Sequence, residues 1–139
     1  MNHLIIATHG LLSNGFLDSA RIIIGDMGTD HVHCITAYAD QNKDYEQEIE
    51  KAVTEFDYSS GELVIATDIL GGSVNNEFSR FMGKYPFHLI TGVNLVTVIS
   101  LILNLQSLDT TRIQDLVDEV QGSICYCNVL ESGPEQNDF

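Results

Sequence analysis

The sequence predicts an α/β fold built on a mainly parallel sheet, and three observations point to it. Short apolar runs alternate with longer segments of helical period along the chain, the pattern of repeated strand–helix units. The runs at residues 4–8 and 63–67 are β-branched and unbroken by charge, as strands covered on both faces must be. A chain of 139 residues, 44% hydrophobic and 19% charged, is long enough for one core. No internal repeat or linker divides it, so residues 1–130 read as a single domain.

The first strand is expected over residues 4–8. After His9-Gly10, residues 13–24 place Phe16, Leu17, Ala20, Ile23 and Ile24 on one stripe and meet Gly25, a natural helix stop. Residues 31–38 read as the second strand. Residues 44–56 read as the second helix, because Ile49, Ala52, Val53 and Phe56 recur at i, i+3, i+4 and i+7. Residues 63–67 form the third strand, after which Asp68 and a Gly71-Gly72-Ser73 turn lead into a helix on which Phe78, Phe81 and Met82 share a face. Residues 87–91 are the fourth strand. Asn94 is expected to cap an apolar helix reaching residue 105, and Thr110 to cap another carrying Ile113, Leu116, Val117 and Val120. Residues 123–130 are expected to close the fold as a fifth strand. From Glu131 onward the Ser, Gly, Pro, Gln and Asn content predicts a loose acidic tail over residues 131–139.

Six Lys and Arg against twenty Asp and Glu give a net charge of −14. That balance repels phosphate backbones and anionic headgroups, and so argues against nucleic acid and membrane-surface binding. The longest apolar run, residues 95–105, is broken by Thr97, Ser100 and Asn104 and falls short of the ~20 residues of a membrane span, so it reads as a buried helix. Met1-Asn2-His3-Leu4 has no basic region or cleavage site marking export, and three cysteines without metal-type spacing fit a reducing cytoplasm.

In an open parallel sheet, the ligand crevice lies beyond the carboxyl ends of the strands where successive connections run to opposite sides. For the common order 2-1-3-4 that point falls between the first and third strands. His9-Gly10 leaves one and Asp68-Ile69-Leu70-Gly71-Gly72-Ser73 leaves the other. The Gly-Gly-Ser turn lets the backbone pass close to a ligand, and the free N–H groups of the helix start, with the Ser73 hydroxyl, suit a phosphoryl group. Taken singly, the turn is only a tight turn capped by Ser73 and the histidine only structural; their convergence points to chemistry. A neutral imidazole attacks phosphorus through one ring nitrogen when the other keeps its proton and points at an acceptor. Asp68 is the candidate acceptor; it could also cap the turn's N–H groups, and the two roles are compatible. No G-x-x-x-x-G-K-[ST] loop is present and neither segment carries Lys or Arg, which argues against tight nucleotide binding. Backbone donors without a fixed cation suit a phosphoryl group that is bound covalently and handed on.

His31 and His33 share a face of the second strand, but Cys34 points to the other face and no third ligand is near in sequence, so no metal is expected. Cys125 and Cys127 are expected to be buried or half-buried thiols of the last strand. His3 and His88 carry no signal beyond their place in or beside a strand.

Three runs, Ile5-Ile6-Ala7-Thr8-His9-Gly10, Ala66-Thr67-Asp68-Ile69-Leu70-Gly71-Gly72-Ser73-Val74-Asn75-Asn76 and Thr91-Gly92-Val93-Asn94-Leu95, together resemble a known family over nearly the whole chain. It is the mannose-type IIA components (mannose/fructose/sorbose family) of the bacterial phosphoenolpyruvate-dependent sugar phosphotransferase system. The resemblance implies a three-layer sandwich: a sheet of order 2-1-3-4, an antiparallel fifth strand exchanged between protomers of a homodimer, and helices on both faces. It implies that His9 is phosphorylated by the phosphocarrier HPr and passes the group to a IIB component, which phosphorylates sugar entering through the membrane permease, IIC and IID. Asp68 would orient His9, and Gly71, Gly72 and Ser73 would surround the phosphoryl group, in the cytoplasm and without cofactor or metal. Val74 stands where the family loop often has proline, and Ile69 offers no hydroxyl where some relatives carry threonine. Two other readings stay open: a regulatory phosphohistidine module of the same fold, such as a dihydroxyacetone-kinase-type subunit, and a flavodoxin-like cofactor binder.

Overall fold

Strands β1 (His3–His9), β2 (Val32–Ala37), β3 (Leu63–Thr67) and β4 (His88–Thr91) form one parallel sheet of order β2-β1-β3-β4. The computed structural model describes residues 1–130, so the tail expected over 131–139 lies outside the described residues. Helices α1 (Leu12–Ile24), α4 (Leu95–Asn104) and α5 (Thr110–Val120) cover one face of the sheet, and α2 (Tyr45–Thr54) and α3 (Ser73–Ser79) the other. The alternation of strand side chains explains the layering. Leu4, Ile6, Val64 and Ala66 pack into the α1/α4/α5 core, while Ile5, Ala7, Leu63 and Ile65 pack into the α2/α3 core. Every residue of β3 is buried, each large apolar side chain there contributing about 1.5–3 kcal/mol. Register pairs His9 with Ala37 and Ala7 with Thr67, so the carboxyl ends of β1, β2 and β3 finish side by side.

Capping residues set most helix limits. Gly25, at φ +76°, ends α1; the Asp44 carboxylate starts α2 by accepting from the N–H groups of Glu46 and Gln47. Asn94 caps α4 as expected, accepting from Thr97 N–H at 3.0 Å. Three expectations need correction. Helix α5 is capped by Asp109 rather than Thr110: Asp109 is extended at φ −140°, which lets its carboxylate accept from Arg112 N–H at 2.8 Å, and Thr110 is the first helical residue. Helix α3 ends at Ser79, before the Gly83 turn, so Phe81 is buried beyond the helix and Met82 is exposed rather than sharing its face. Residues 123–130 form no strand. The chain there makes 3-10 turns at Gln121–Ser123 and Cys127–Val129, leaving Ile124, Tyr126, Val129 and Leu130 exposed. An extended segment cannot satisfy its own backbone groups, and this one is paired with no strand among the described residues. Cys125 and Cys127 are therefore exposed, not buried. The run of residues 95–105 contributes buried Val98, Leu101 and Ile102, and among the described residues no helix is long and apolar enough to cross a membrane.

Candidate functional site

The crevice lies where β1 and β3 release the chain toward opposite faces, and each edge is tied down locally. After His9, Gly10 takes the left-handed conformation at φ +59° and its N–H donates to Ala37 O at 2.7 Å. The Thr8 hydroxyl accepts from Ser13 N–H at 2.7 Å, and Ser13 Oγ donates to Ile35 O at 3.1 Å, anchoring the start of α1 to β1 and β2. On the other edge, buried Thr67 lies 2.8 Å from both Asn75 Oδ1 and Thr91 Oγ1, joining β3 to α3 and β4.

His9 and Asp68, 59 positions apart in sequence, meet across this crevice. Asp68 Oδ2 accepts twice at 2.9 Å, from the backbone N–H of His9 and from its Nδ1, while Oδ1 accepts from Ile69 N–H at 3.1 Å. The aspartate thus holds hydrogen bonds both to the ring and to its own turn. Burial pushes the Asp68 carboxyl upward, but the hydrogen bonds from His9 and from its own turn, with the attraction of the imidazole, outweigh it and hold the group below the usual carboxylate range. An ionised carboxylate only accepts, so Nδ1 carries a proton, and whenever the ring is neutral Nε2 is bare. That bare nitrogen faces Ser73 Oγ at 3.3 Å, and the His9 side chain is 38% exposed against 7% for Asp68.

Gly72, not Ser73, is the N-cap of α3, and no side chain caps this helix start, so its first N–H groups have no partner within the helix. Ser73 sits in the first turn and spends its hydroxyl on His9. Gly71 lies at φ +80°, where a side chain would be strained, and its carbonyl accepts from Asn76 Nδ2 at 3.1 Å. At Gly72 the constraint is space: a Cβ would lie 3.2 Å from His9 Cε1 and 3.2 Å from Ile69 O. Gly72→Ala is expected to keep stability within about 1 kcal/mol, because φ −72° suits alanine, yet to displace the ring. Shifted His9 ring resonances with an unchanged unfolding midpoint would show it; unmoved resonances would not fit this packing.

Tyr38 escaped the sequence reading as a site residue. It follows β2 directly, at the same edge as His9, which is the one signal that could have found it. Its ring stacks on the imidazole, centroids 5.7 Å apart and planes 22° apart, and its hydroxyl lies 2.9 Å from Ser73 Oγ and 2.9 Å from Tyr45 Oη. The hydrogen bonds with Ser73 and then Tyr45 lower the Tyr38 phenol, whereas Tyr45 is pushed up to about 12, chiefly by its bond to Tyr38.

The other histidines gather elsewhere. His3 Nδ1 lies 3.2 Å from His33 Nε2, and the His3 ring packs edge-on against His31 at 4.9 Å. Among the described residues no group of three or more His, Cys, Asp or Glu is placed to hold a metal ion. Burial, then the neighbouring His31 and His33, then the N-terminal amine, lower the His3 pKa below its usual 6.5. The unfolded chain therefore takes up this proton first as pH falls through 6.5, and stability drops until the folded-state value is passed. His3→Gln is expected to shrink the fall in melting temperature between about pH 7.5 and about pH 5.5; an unchanged fall would contradict the linkage. His88 pairs with Glu62 at 2.8 Å, far from the crevice in register.

Comparison with known proteins gives a consistent picture. Residues 3–121 match the family model EIIA-man, PTS system fructose IIA component. A Klebsiella pneumoniae protein assigned to the phosphoenolpyruvate-dependent sugar phosphotransferase system as a permease is 38% identical over 92% of each chain, with a TM-score of 0.80. The PTS IIA protein associated with the fucose utilization operon of Streptococcus pneumoniae is 25% identical, covering 91% of this chain and 93% of that one, TM-score 0.75. The mannose/sorbose specific IIA subunit of Enterococcus faecalis shares the fold at 21% identity over 98% of each chain, TM-score 0.70. Among curated proteins none matches the sequence.

Proposed function

The chain belongs to the EIIA-man family, the IIA components of the sugar phosphotransferase system, and from that premise we propose that it relays phosphate through His9. Phospho-HPr is the donor, a IIB component the acceptor, and the membrane permease IIC/IID the eventual beneficiary. The single observation that carries this reading is the His9–Asp68 pair: Asp68 keeps the proton on Nδ1 and presents a bare Nε2 to the crevice. In the transfer step a new P–N bond forms at Nε2 while the donor's P–N bond breaks. The Nδ1 proton stays on Asp68's side throughout, so no base has to remove one. Gly71, Gly72 and Ser73 supply backbone and hydroxyl donors to the phosphoryl oxygens, and catalysis comes from placement rather than from a fixed cation.

Partner docking has a suitable surface. Leu11, Leu12, Tyr38, Ile69 and Leu70 are exposed around His9, an apolar rim of the kind that a carrier's own active-site face would cover. The net charge of −14 favours partners with basic patches. A homodimer belongs to the same proposal: among the described residues the outer edge of β4 is unpaired, and the segment of a second copy that exposes Ile124, Tyr126, Val129 and Leu130 adds to that edge.

The test is incubation with phosphoenolpyruvate, enzyme I and HPr, followed by a IIB component and its permease. An acid-labile, base-stable phosphate that moves on to sugar is expected, with no label in His9→Ala. Label that stays on the protein when IIB is added would instead mark a regulatory module, and label in His9→Ala would end the proposal.

A further inference from the structure

One side chain from the β2 side of the crevice reaches the bare nitrogen of His9 through a single hydroxyl. Tyr38 is the one non-glycine residue in the left-handed region among the described residues, at φ +67°. For a bulky side chain that conformation is held only where the surroundings enforce it, and such outliers gather at working sites. Here the enforcing contacts are the stack on the His9 ring and the hydrogen bonds to Ser73 and Tyr45.

The direction of the hydrogen-bond chain follows from its far end. Asp68 accepts from Nδ1, so in the neutral ring Nε2 can only accept, and Ser73 O–H is then its donor. Ser73 has one proton and has now used it. Its oxygen must therefore accept from Tyr38 O–H, and Tyr38 in turn accepts from Tyr45. We propose that Tyr38 is a positioning residue: by donating to Ser73 Oγ it aims the serine proton at His9 Nε2, and it keeps that proton turned toward the phosphoryl group once the nitrogen is occupied. The second half rests on the relay reading; the first concerns the unphosphorylated protein alone.

Tyr38→Phe keeps the stacked ring and removes only the hydroxyl of an exposed residue, so folding is retained. In the unphosphorylated variant the ¹⁵N resonance of neutral His9 Nε2 is expected to move downfield, toward a nitrogen that accepts nothing. Phosphoryl acceptance from phospho-HPr is expected to lose about fivefold in kcat with KM held, as one hydroxyl hydrogen bond warrants. In a Ser73→Ala background Tyr38→Phe should cost nothing further, because the two act in series. An unmoved Nε2 resonance, or an equal loss with and without Ser73, would overturn the proposal. Should wild-type His9 take no phosphate, the relay reading fails by itself, and the Nε2 resonance still decides the role of Tyr38.

Discussion

Asp68→Asn is expected to slow phosphoryl transfer to His9 about a hundredfold, the usual cost of letting a reacting group drift by an ångström or so. An amide has one acceptor oxygen where the carboxylate has two. If that oxygen faces His9, the NH2 group confronts Ile69 N–H; if it faces Ile69, the NH2 group confronts both His9 donors. Either way at least one donor loses its acceptor, exposed at Ile69 or part-buried at His9, and the charge that favours a proton on Nδ1 is gone. The stability cost should be about 1–3 kcal/mol, small enough for the variant to stay folded. Rapid-quench measurement of labelled phosphate on His9, beside a thermal melt, checks both halves; transfer at the wild-type rate would remove Asp68 from the mechanism.

Phe78→Ala is expected to destabilise the protein by about 3–5 kcal/mol, a large part of the 5–15 kcal/mol that a domain of this size commands. Phe78 is fully buried between β1, β3 and the Phe87 ring, whose centroid lies 6.5 Å away. Its helix, α3, is only seven residues long and could not hold helical form without that packing. Since Ser73 begins the same helix, loosening Phe78 should also blur the Ser73–His9 contact before the whole chain unfolds. Denaturant titration measures the first effect. His9 ring resonances that stay sharp as the midpoint falls would contradict the second.

The strands were legible because their signal is local. Residues 63–66 are apolar without interruption and, with Thr67, buried without exception, so pattern and outcome coincide. The crevice was legible through topology: once β1 and β3 are neighbours, His9 and Asp68 must leave the sheet together. Where reading failed, the deciding contact was distant or depended on a detail of backbone angle. Asp109 outcompeted Thr110 as a cap through its extended φ, which no periodicity reports. Residues 123–130 carry a strand-like composition, but a strand exists only when its backbone is paired, and among the described residues neither outer edge of the sheet takes up this segment. Tyr38 was passed over because it looked like the last residue of a strand, and only its turn into the left-handed region lays its ring on His9. His3, silent in sequence, joins His31 and His33 solely through the β1–β2 pairing.

The most direct test of the account is to locate the phosphorus on the labelled protein atom by atom, by correlating ³¹P with the ¹⁵N resonances of the histidine rings. Coupling to Nε2 of His9, with a proton retained on Nδ1, is the predicted result. Coupling to Nδ1, to the ring of another histidine, or to no nitrogen at all would contradict it.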